Sequence, residues 1–195
     1  MENMDGLDVT ACERCSDLVS SRSRIVNGTG PADADVVFVG EAPGEQEDQE
    51  GVPFVGRSGD VLDSALGEHG LPRKRVRITN CVRCRPPDNR DPSTEELANC
   101  RPYLEAEIDQ LDPAVIVTLG KVPSEHLLER DVAVTNEAGT VETIDIAGTR
   151  RDVLVCVHPA ATLYDRSQEA TFDATIEKAA TIAGVEGGQA TFDDY

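Results

Sequence analysis

Residues 36–54 read VVFVGEAPGEQEDQEGVPF: an apolar run, a Gly-Glu-Ala-Pro-Gly turn, a cluster of carboxylates and a single phenylalanine. Residues 36–39 are β-branched or aromatic without polar interruption, which predicts a strand buried on both faces of a parallel sheet. Gly40 and Gly44 bracket Pro43, so the chain can turn sharply and present backbone amides at the carboxyl end of that strand. Open α/β sheets bind ligands at that edge. A plain strand-to-helix loop on an acidic surface fits the same pentapeptide, so the choice rests on what else the chain brings to it.

Further strands are expected at 76–79, 114–119 and 153–157. Helices are expected at about 60–68, 95–111 and 168–183, with another starting after Gly120. Ser93 or Thr94 is expected to cap the helix at 95–111, and Pro102 to interrupt it early. Residues 131–150 predict a hairpin or an irregular crossover turning at Gly139 and Gly148. Strands alternating with helices give a three-layer α/β/α sandwich around a four-stranded, mainly parallel sheet. One domain is expected over 1–183, with a cysteine-containing lead-in, followed by a disordered acidic tail at 184–195.

At 195 residues and 39% hydrophobic, the chain can bury a core of its own. Without a signal peptide, a membrane-length apolar run or a lipidation motif, it reads as a cytoplasmic monomer with no membrane role. A net charge of −19 argues against ordinary nucleic-acid binding, which relies on Lys and Arg. Lysine occurs only at 74, 121 and 178, and the acidity reads as a surface adapted to concentrated salt, where the Debye length falls to about 3 Å. The stretch 73–90 departs from this, with Arg73, Lys74, Arg75, Arg77, Arg83, Arg85 and Arg90 against the lone acid Asp88. It is either a solvated face or a phosphate-binding one.

Six cysteines in an intracellular chain point to a metal or cofactor rather than to disulfides. Cys12 and Cys15 form a CxxC pair, and Cys84 and Cys100 flank a proline-rich stretch. Spacing alone leaves zinc, an iron–sulfur cluster and buried free thiols open. Cys81 and Cys156 read as small core residues, with Cys81 an alternative to Cys84. Three strand ends carry polar groups: Gly40-Glu41, Asn80 and His158-Pro159. Singly, an Asn such as Asn80 is more often a turn residue and a His such as His158 a structural one; together they outline a site.

GEAPG (40–44) with its carboxylates, GVPFVGRSG (51–59), ITN (78–80), CRPPDNRDP (84–92), Cys100 before Pro102-Tyr103-Leu104, and HPAA (158–161) resemble a family 4 uracil-DNA glycosylase, the iron–sulfur branch of that superfamily, over residues 12–163. With the acidic composition, a halophilic archaeon is the expected source. The resemblance implies excision of uracil from DNA to leave an abasic site. Uracil-containing DNA is then the partner, with a polymerase sliding clamp as a candidate second one. It places four ligands of a [4Fe–4S] cluster at Cys12, Cys15, Cys84 and Cys100, selecting the cluster over zinc.

It also implies roles in a base pocket. Phe54 would stack on uracil, Asn80 would accept from N3–H and donate to O4, and His158 would hydrogen-bond O2, where negative charge grows. Gly40 and Ala42 would contribute the loop that lines the pocket. Ala42 stands where the best-known branch carries a water-orienting aspartate, so Glu41 is the replacement, and Glu47 the second candidate or a filter against the thymine methyl. Asn89 is a further member. Ser58 and Gly59 at a helix start, with Arg85 and its neighbours, would hold phosphates. Leu163 is either a wedge in the minor groove or a core residue of its turn. A catalytically silent iron–sulfur or zinc nucleic-acid-binding module and a glycosylase for another deaminated base are the rival readings. The combination of Glu41, Phe54, Asn80 and His158 favours the uracil enzyme.

Overall fold

A computed structural model describes residues 3–185. The tail expected at 184–195 lies outside them except for its first two positions. The chain opens with a small ladder, Met4–Asp5 (β1) against Asp8–Val9 (β2), and the helix Ser16–Ser21 (α1). The main sheet is built from Val36–Gly40 (β3), Arg77–Asn80 (β4), Val115–Leu119 (β5), Val141–Ile146 (β6) and Thr149–Cys156 (β7), in the order β4-β3-β5-β7-β6. Four strands run parallel, and β6 joins antiparallel to β7. The sheet therefore has five strands rather than the expected four. Residues 131–150 supply the extra one as the first arm of a hairpin, whose turn residues Ala147 and Gly148 both have positive φ. Such a two-residue turn suits the right-handed twist of its flanking strands.

The inner strands are buried on both faces, and their side chains alternate between two cores. Val36, Phe38, Val117 and Leu154 face Arg57–Glu68 (α3) and Glu169–Ile182 (α8) through Leu62, Leu66, Phe172 and Ile176. Val37, Val39, Ile116 and Val155 face Thr94–Leu111 (α4) and Lys121–Leu128 (α5) through Leu104, Ile108 and Leu127. This is the three-layer sandwich that uninterrupted apolar strands require. Short helices fill three connections: Glu45–Glu50 (α2), Val134–Glu137 (α6) and Pro159–Tyr164 (α7). The chain leaves β3 to place β4 on one side and later returns to place β5 on the other, opening a crevice at the carboxyl ends of these strands. No helix among the described residues is long and apolar enough to cross a membrane.

Ser93 caps α4 by accepting from Glu96 N–H at 3.2 Å, and Glu96 returns the contact at 2.7 Å. The helix then runs through Pro102 without the expected interruption. One main-chain hydrogen bond is lost there, while Tyr103, Leu104, Ile108 and Leu111 hold the following turns in the core.

A second correction concerns the basic stretch. Arg77 and Arg83 are buried, and both meet the fully buried Glu107 of α4, through Nε at 2.8 Å and Nη2 at 2.5 Å. Arg77 also donates to Gly30 O at 2.9 Å, which ties the lead-in to the sheet. Burying these charges is tolerable only because each guanidinium is matched to the carboxylate. Replacing Glu107 by Leu should lower the unfolding free energy by about 3–5 kcal/mol in a urea titration, because two buried guanidinium groups lose their partner. A loss below about 1 kcal/mol would show that the pairing is not what holds these elements.

Candidate active site and cysteine centre

The crevice holds a cavity of about 270 Å³. Glu41 and Ala42 enter it from the end of β3, Asn80 from the end of β4 and His158 from just beyond β7. Gly44, Glu47, Phe54 and Ser58 complete its wall. The strand ends expected to converge do so. Gly40 pairs in register with Asn80 across the parallel ladder, and a Cβ on Gly40 would collide with both the Asn80 side-chain oxygen and the Phe54 ring. Glycine is therefore required by the close approach of two neighbours, and the missing side chain leaves the amide and the ring on adjoining walls. Asn80 is 3% exposed, and no hydrogen-bond partner for its side chain occurs among the described residues.

His158 caps α7, with Nδ1 accepting from Ala160 N–H at 3.1 Å. That bond assigns the ring proton to Nε2, the nitrogen left for the cavity. Burial lowers its pKa to about 4, so the ring is a neutral donor at physiological pH. Its centroid lies 5.7 Å from that of Phe54, at an interplanar angle of 33°. Glu41 is shifted the other way: burial, then the nearby Asp91 carboxylate, raise it to about 7. Glu47 lines the same cavity, but one oxygen accepts from Gly44 N–H at 3.1 Å and so satisfies the amide at the start of α2.

Phe54 is held in an unusual way. Its φ is +54°, uncommon for a bulky residue, and its carbonyl accepts from Arg73, which also donates to Pro53 O at 3.0 Å and pairs with Asp63 at 2.6 Å. The same carbonyl rests on Gly59, where a Cβ would overlap it. Gly59 thus makes room for the Phe54 backbone, and Arg73 clamps it in place. From sequence, both are expected at phosphate. Asp91, the carboxylate acting on Glu41, was not singled out at all; its place in the CRPPDNRDP run was the only available signal.

Ser58 lines both the cavity and a neighbouring groove, and the remaining expected residues, Asn89, Leu163 and Arg85, fall outside the cavity, the first two lining that groove. Arg85 donates to Asn89 Oδ1 at 2.8 Å and borders a separate depression beside α1. Leu163 is 38% exposed, which removes the core-residue reading.

Cys12, Cys15, Cys84 and Cys100 line one cavity between the lead-in, the proline-rich loop and α4. Arg22 Nη1 donates to Cys84 Sγ at 2.9 Å and its Nη2 to Cys12 O at 2.7 Å, while Asn99 Nδ2 lies 3.6 Å from Cys15 Sγ. Burial pushes the Cys100 thiol up to about 12 and raises Cys84 as well. Among the described residues, no three His, Cys, Asp or Glu side chains are gathered as one metal ion would need. Cys81 and Cys156 are fully buried in the two cores, as their sequence context suggested.

The family model described as Uracil DNA glycosylase superfamily matches residues 27–180. The chain is 35% identical to the type-4 uracil-DNA glycosylase of Archaeoglobus fulgidus, with each chain covered in full. It is 41% identical to the type-4 enzyme of Saccharolobus solfataricus over 85% of this chain and 79% of that one. With the type-4 enzyme of Thermotoga maritima the identity is 42%, over 83% and 82%. The family match spans every strand of the main sheet and each residue that lines the strand-end cavity, and on that extent the chain belongs to the uracil-DNA glycosylase superfamily.

Proposed function

We propose that this chain is a DNA-repair glycosylase that hydrolyses the N-glycosidic bond of deoxyuridine, releasing uracil and leaving an abasic site. The observation that carries the reading is the gathering of an amide, an aromatic face, a neutral imidazole and a carboxyl group in one cavity at the switch point of the sheet. The type-4 relatives support it. A nucleotide turned out of DNA would enter with its ring on Phe54 and its N3–O4 edge against Asn80. Nε2–H of His158 would donate to O2. As the glycosidic bond breaks, O2 gains negative charge and this hydrogen bond strengthens, so the imidazole favours the transition state over the bound substrate. Glu41 in its ionised form would orient water and face the cationic sugar, while Glu47 holds the loop through Gly44.

In the same proposal the four cysteines hold a [4Fe–4S] cluster. Each thiolate of such a cluster binds a different iron, so the donors need to share a cavity rather than converge on a point. Arg22 and Asn99 supply N–H donors to the sulfurs, and the Arg22 charge offsets part of theirs. The cluster would supply a covalent brace between the lead-in, the loop and α4, and an electron-transfer centre. In the same proposal the acidic surface, at a net charge of −19, keeps the enzyme soluble in concentrated salt.

In single-turnover assays on uracil-containing oligonucleotide, His158→Ala should slow release by on the order of a hundredfold or more, with little change in DNA affinity. A wild-type rate would remove the cavity from the chemistry.

The wild-type rate should rise through about pH 7 as Glu41 ionises. Asp91→Asn should move that inflection to lower pH, since a neighbouring negative charge is what helps to raise it. A rate flat between about pH 5.5 and about 8.5 would show that Glu41 does not orient the water.

Protein purified without air should contain about four iron and four sulfide per chain. Cys84→Ser should lose them and Cys156→Ser keep them. One zinc with no iron would overturn the cluster.

A further inference from the structure

Of the four parallel strands, β3, β4 and β7 each bring a side chain to the cavity at their carboxyl ends, and β5 brings none. Yet β5 lies between β3 and β7, so its end, Leu119-Gly120, arrives between the supports of Glu41 and His158. What it presents there is bare backbone. A Cβ on Gly120 would stand 3.3 Å from His158 Cβ and 3.7 and 3.8 Å from the ring atoms Cδ2 and Cγ. The first approach is tighter than ordinary van der Waals contact, and the φ of +108° is a conformation that side chains rarely adopt. Glycine is required twice over, by its own backbone and by the imidazole lying against it.

Two buried hydroxyls fix that backbone in place. Ser124 Oγ of α5 donates to Gly120 O at 2.7 Å, and Thr118 Oγ1 of β5 lies 2.7 Å from Ser124 Oγ. With the Ser124 proton given to Gly120, Thr118 is the donor to Ser124. Gly120 N–H donates to Cys156 O at 2.9 Å, which ties the end of β5 to β7 two residues before His158. Both hydroxyl side chains are fully buried, and Thr118 interrupts the otherwise apolar run Val115–Leu119. Valine and alanine would fill the same space without burying a polar group, so the pair answers a need other than core packing. The imidazole is thereby bounded on three sides. Nδ1 accepts from Ala160 N–H, the Phe54 ring stands 5.7 Å away, and Gly120 closes the side toward β5. The capping bond decides which nitrogen carries the proton, and the wall behind the ring decides how far that nitrogen reaches.

We propose that Gly120 is a positioning residue of the glycosylase: the bare end of β5 is the wall against which the His158 ring rests, and Ser124 and Thr118 hold that wall so that Nε2 reaches the base. The inference rests on the glycosylase reading and acts through His158 alone.

The test uses the full chain in two backgrounds, wild type and His158→Ala, with single-turnover release from uracil-containing oligonucleotide. Gly120→Ala should slow the rate at saturating DNA by on the order of tenfold or more and leave DNA affinity within about twofold, because misplacing a catalytic group costs rate rather than binding. Ser124→Ala removes one hydrogen bond and adds no bulk, so it should act in the same direction by roughly threefold. Neither should slow the His158→Ala enzyme further, since a residue that works through another loses its effect when that other is gone. The chain has three histidines, few enough for their imidazole resonances to be told apart. Those of His158 should move in both variants, and those of His69, which meets Asp173 at the carboxyl end of α3, should not. A general loss of stability would weaken both backgrounds alike and leave the His158 resonances of the folded protein in place. Losses of equal factor in the two backgrounds, or wild-type rates with unmoved His158 resonances, would overturn the inference. If Gly120→Ala does not fold, Ser124→Ala decides by the same two criteria. Failure of the wild type to release uracil would overturn the glycosylase reading instead, while the resonances would still show whether Gly120 sets the His158 ring.

Discussion

The Glu107 carboxylate, fully buried on α4, sets the relation between three parts of the molecule that the sequence keeps far apart. Arg77 belongs to β4, Arg83 to the loop that carries Cys84, and Gly30 to the lead-in that carries Cys12 and Cys15. The two arginines meet at this one anion, and Arg77 in turn donates to the Gly30 carbonyl. A buried charge of this kind adds little stability beyond a well-packed apolar group of the same volume, but it tolerates only one arrangement of its partners. What it contributes is register: the cysteine segments and the strand that presents Asn80 share a common anchor. Asp48 acts similarly on the other side, with its carboxylate accepting from Ser23 N–H at 2.9 Å and Arg24 N–H at 3.3 Å, so that α2 and the lead-in are joined beside the cavity.

On this frame the cavity combines opposite electrostatic settings within a few residues. Burial keeps His158 neutral and its capping bond decides which nitrogen carries the proton. Burial and Asp91 together keep Glu41 close to half ionised near neutrality. One group is removed from titration over the physiological range and the other placed in the middle of it. An enzyme that must offer a constant donor and an adjustable carboxyl group needs both.

Much of this was legible from residues 36–54 outward because the site is made of strand ends. Apolar runs fix the strands, parallel strands align their carboxyl ends, and whatever follows each run arrives at the same edge. The features that escaped are those fixed by contacts across the chain. The Arg73 clamp on Phe54 spans 19 residues and the Arg77–Glu107 pair 30, and a count of positive charges cannot tell an arginine turned inward from one facing water. The hairpin expected as one alternative within 131–150 forms, but the half-exposed, charged alternation of its first arm conceals that β6 joins the main sheet, and its turn uses Ala147 where Asn or Asp is usual. The acidic run of α2 lacks an apolar stripe, so its sequence reads as loop. Its stability comes instead from acids at its amino end and from the Glu47 cap.

The clamp on Phe54 bears on how this scaffold can change over evolutionary time. Backbone carbonyl, Arg73, Asp63 and Gly59 fix the aromatic face from the α3 side, while Asn80 is carried by β4 and His158 by the start of α7. The surface, reader and charge stabiliser of the proposed pocket are therefore mounted on separate supports. A lineage could exchange the reader for one with a different hydrogen-bonding pattern without disturbing the surface on which the ring lies. Modular mounting of this sort lets one architecture diversify across damaged bases by single replacements, with the costly parts of the fold inherited unchanged.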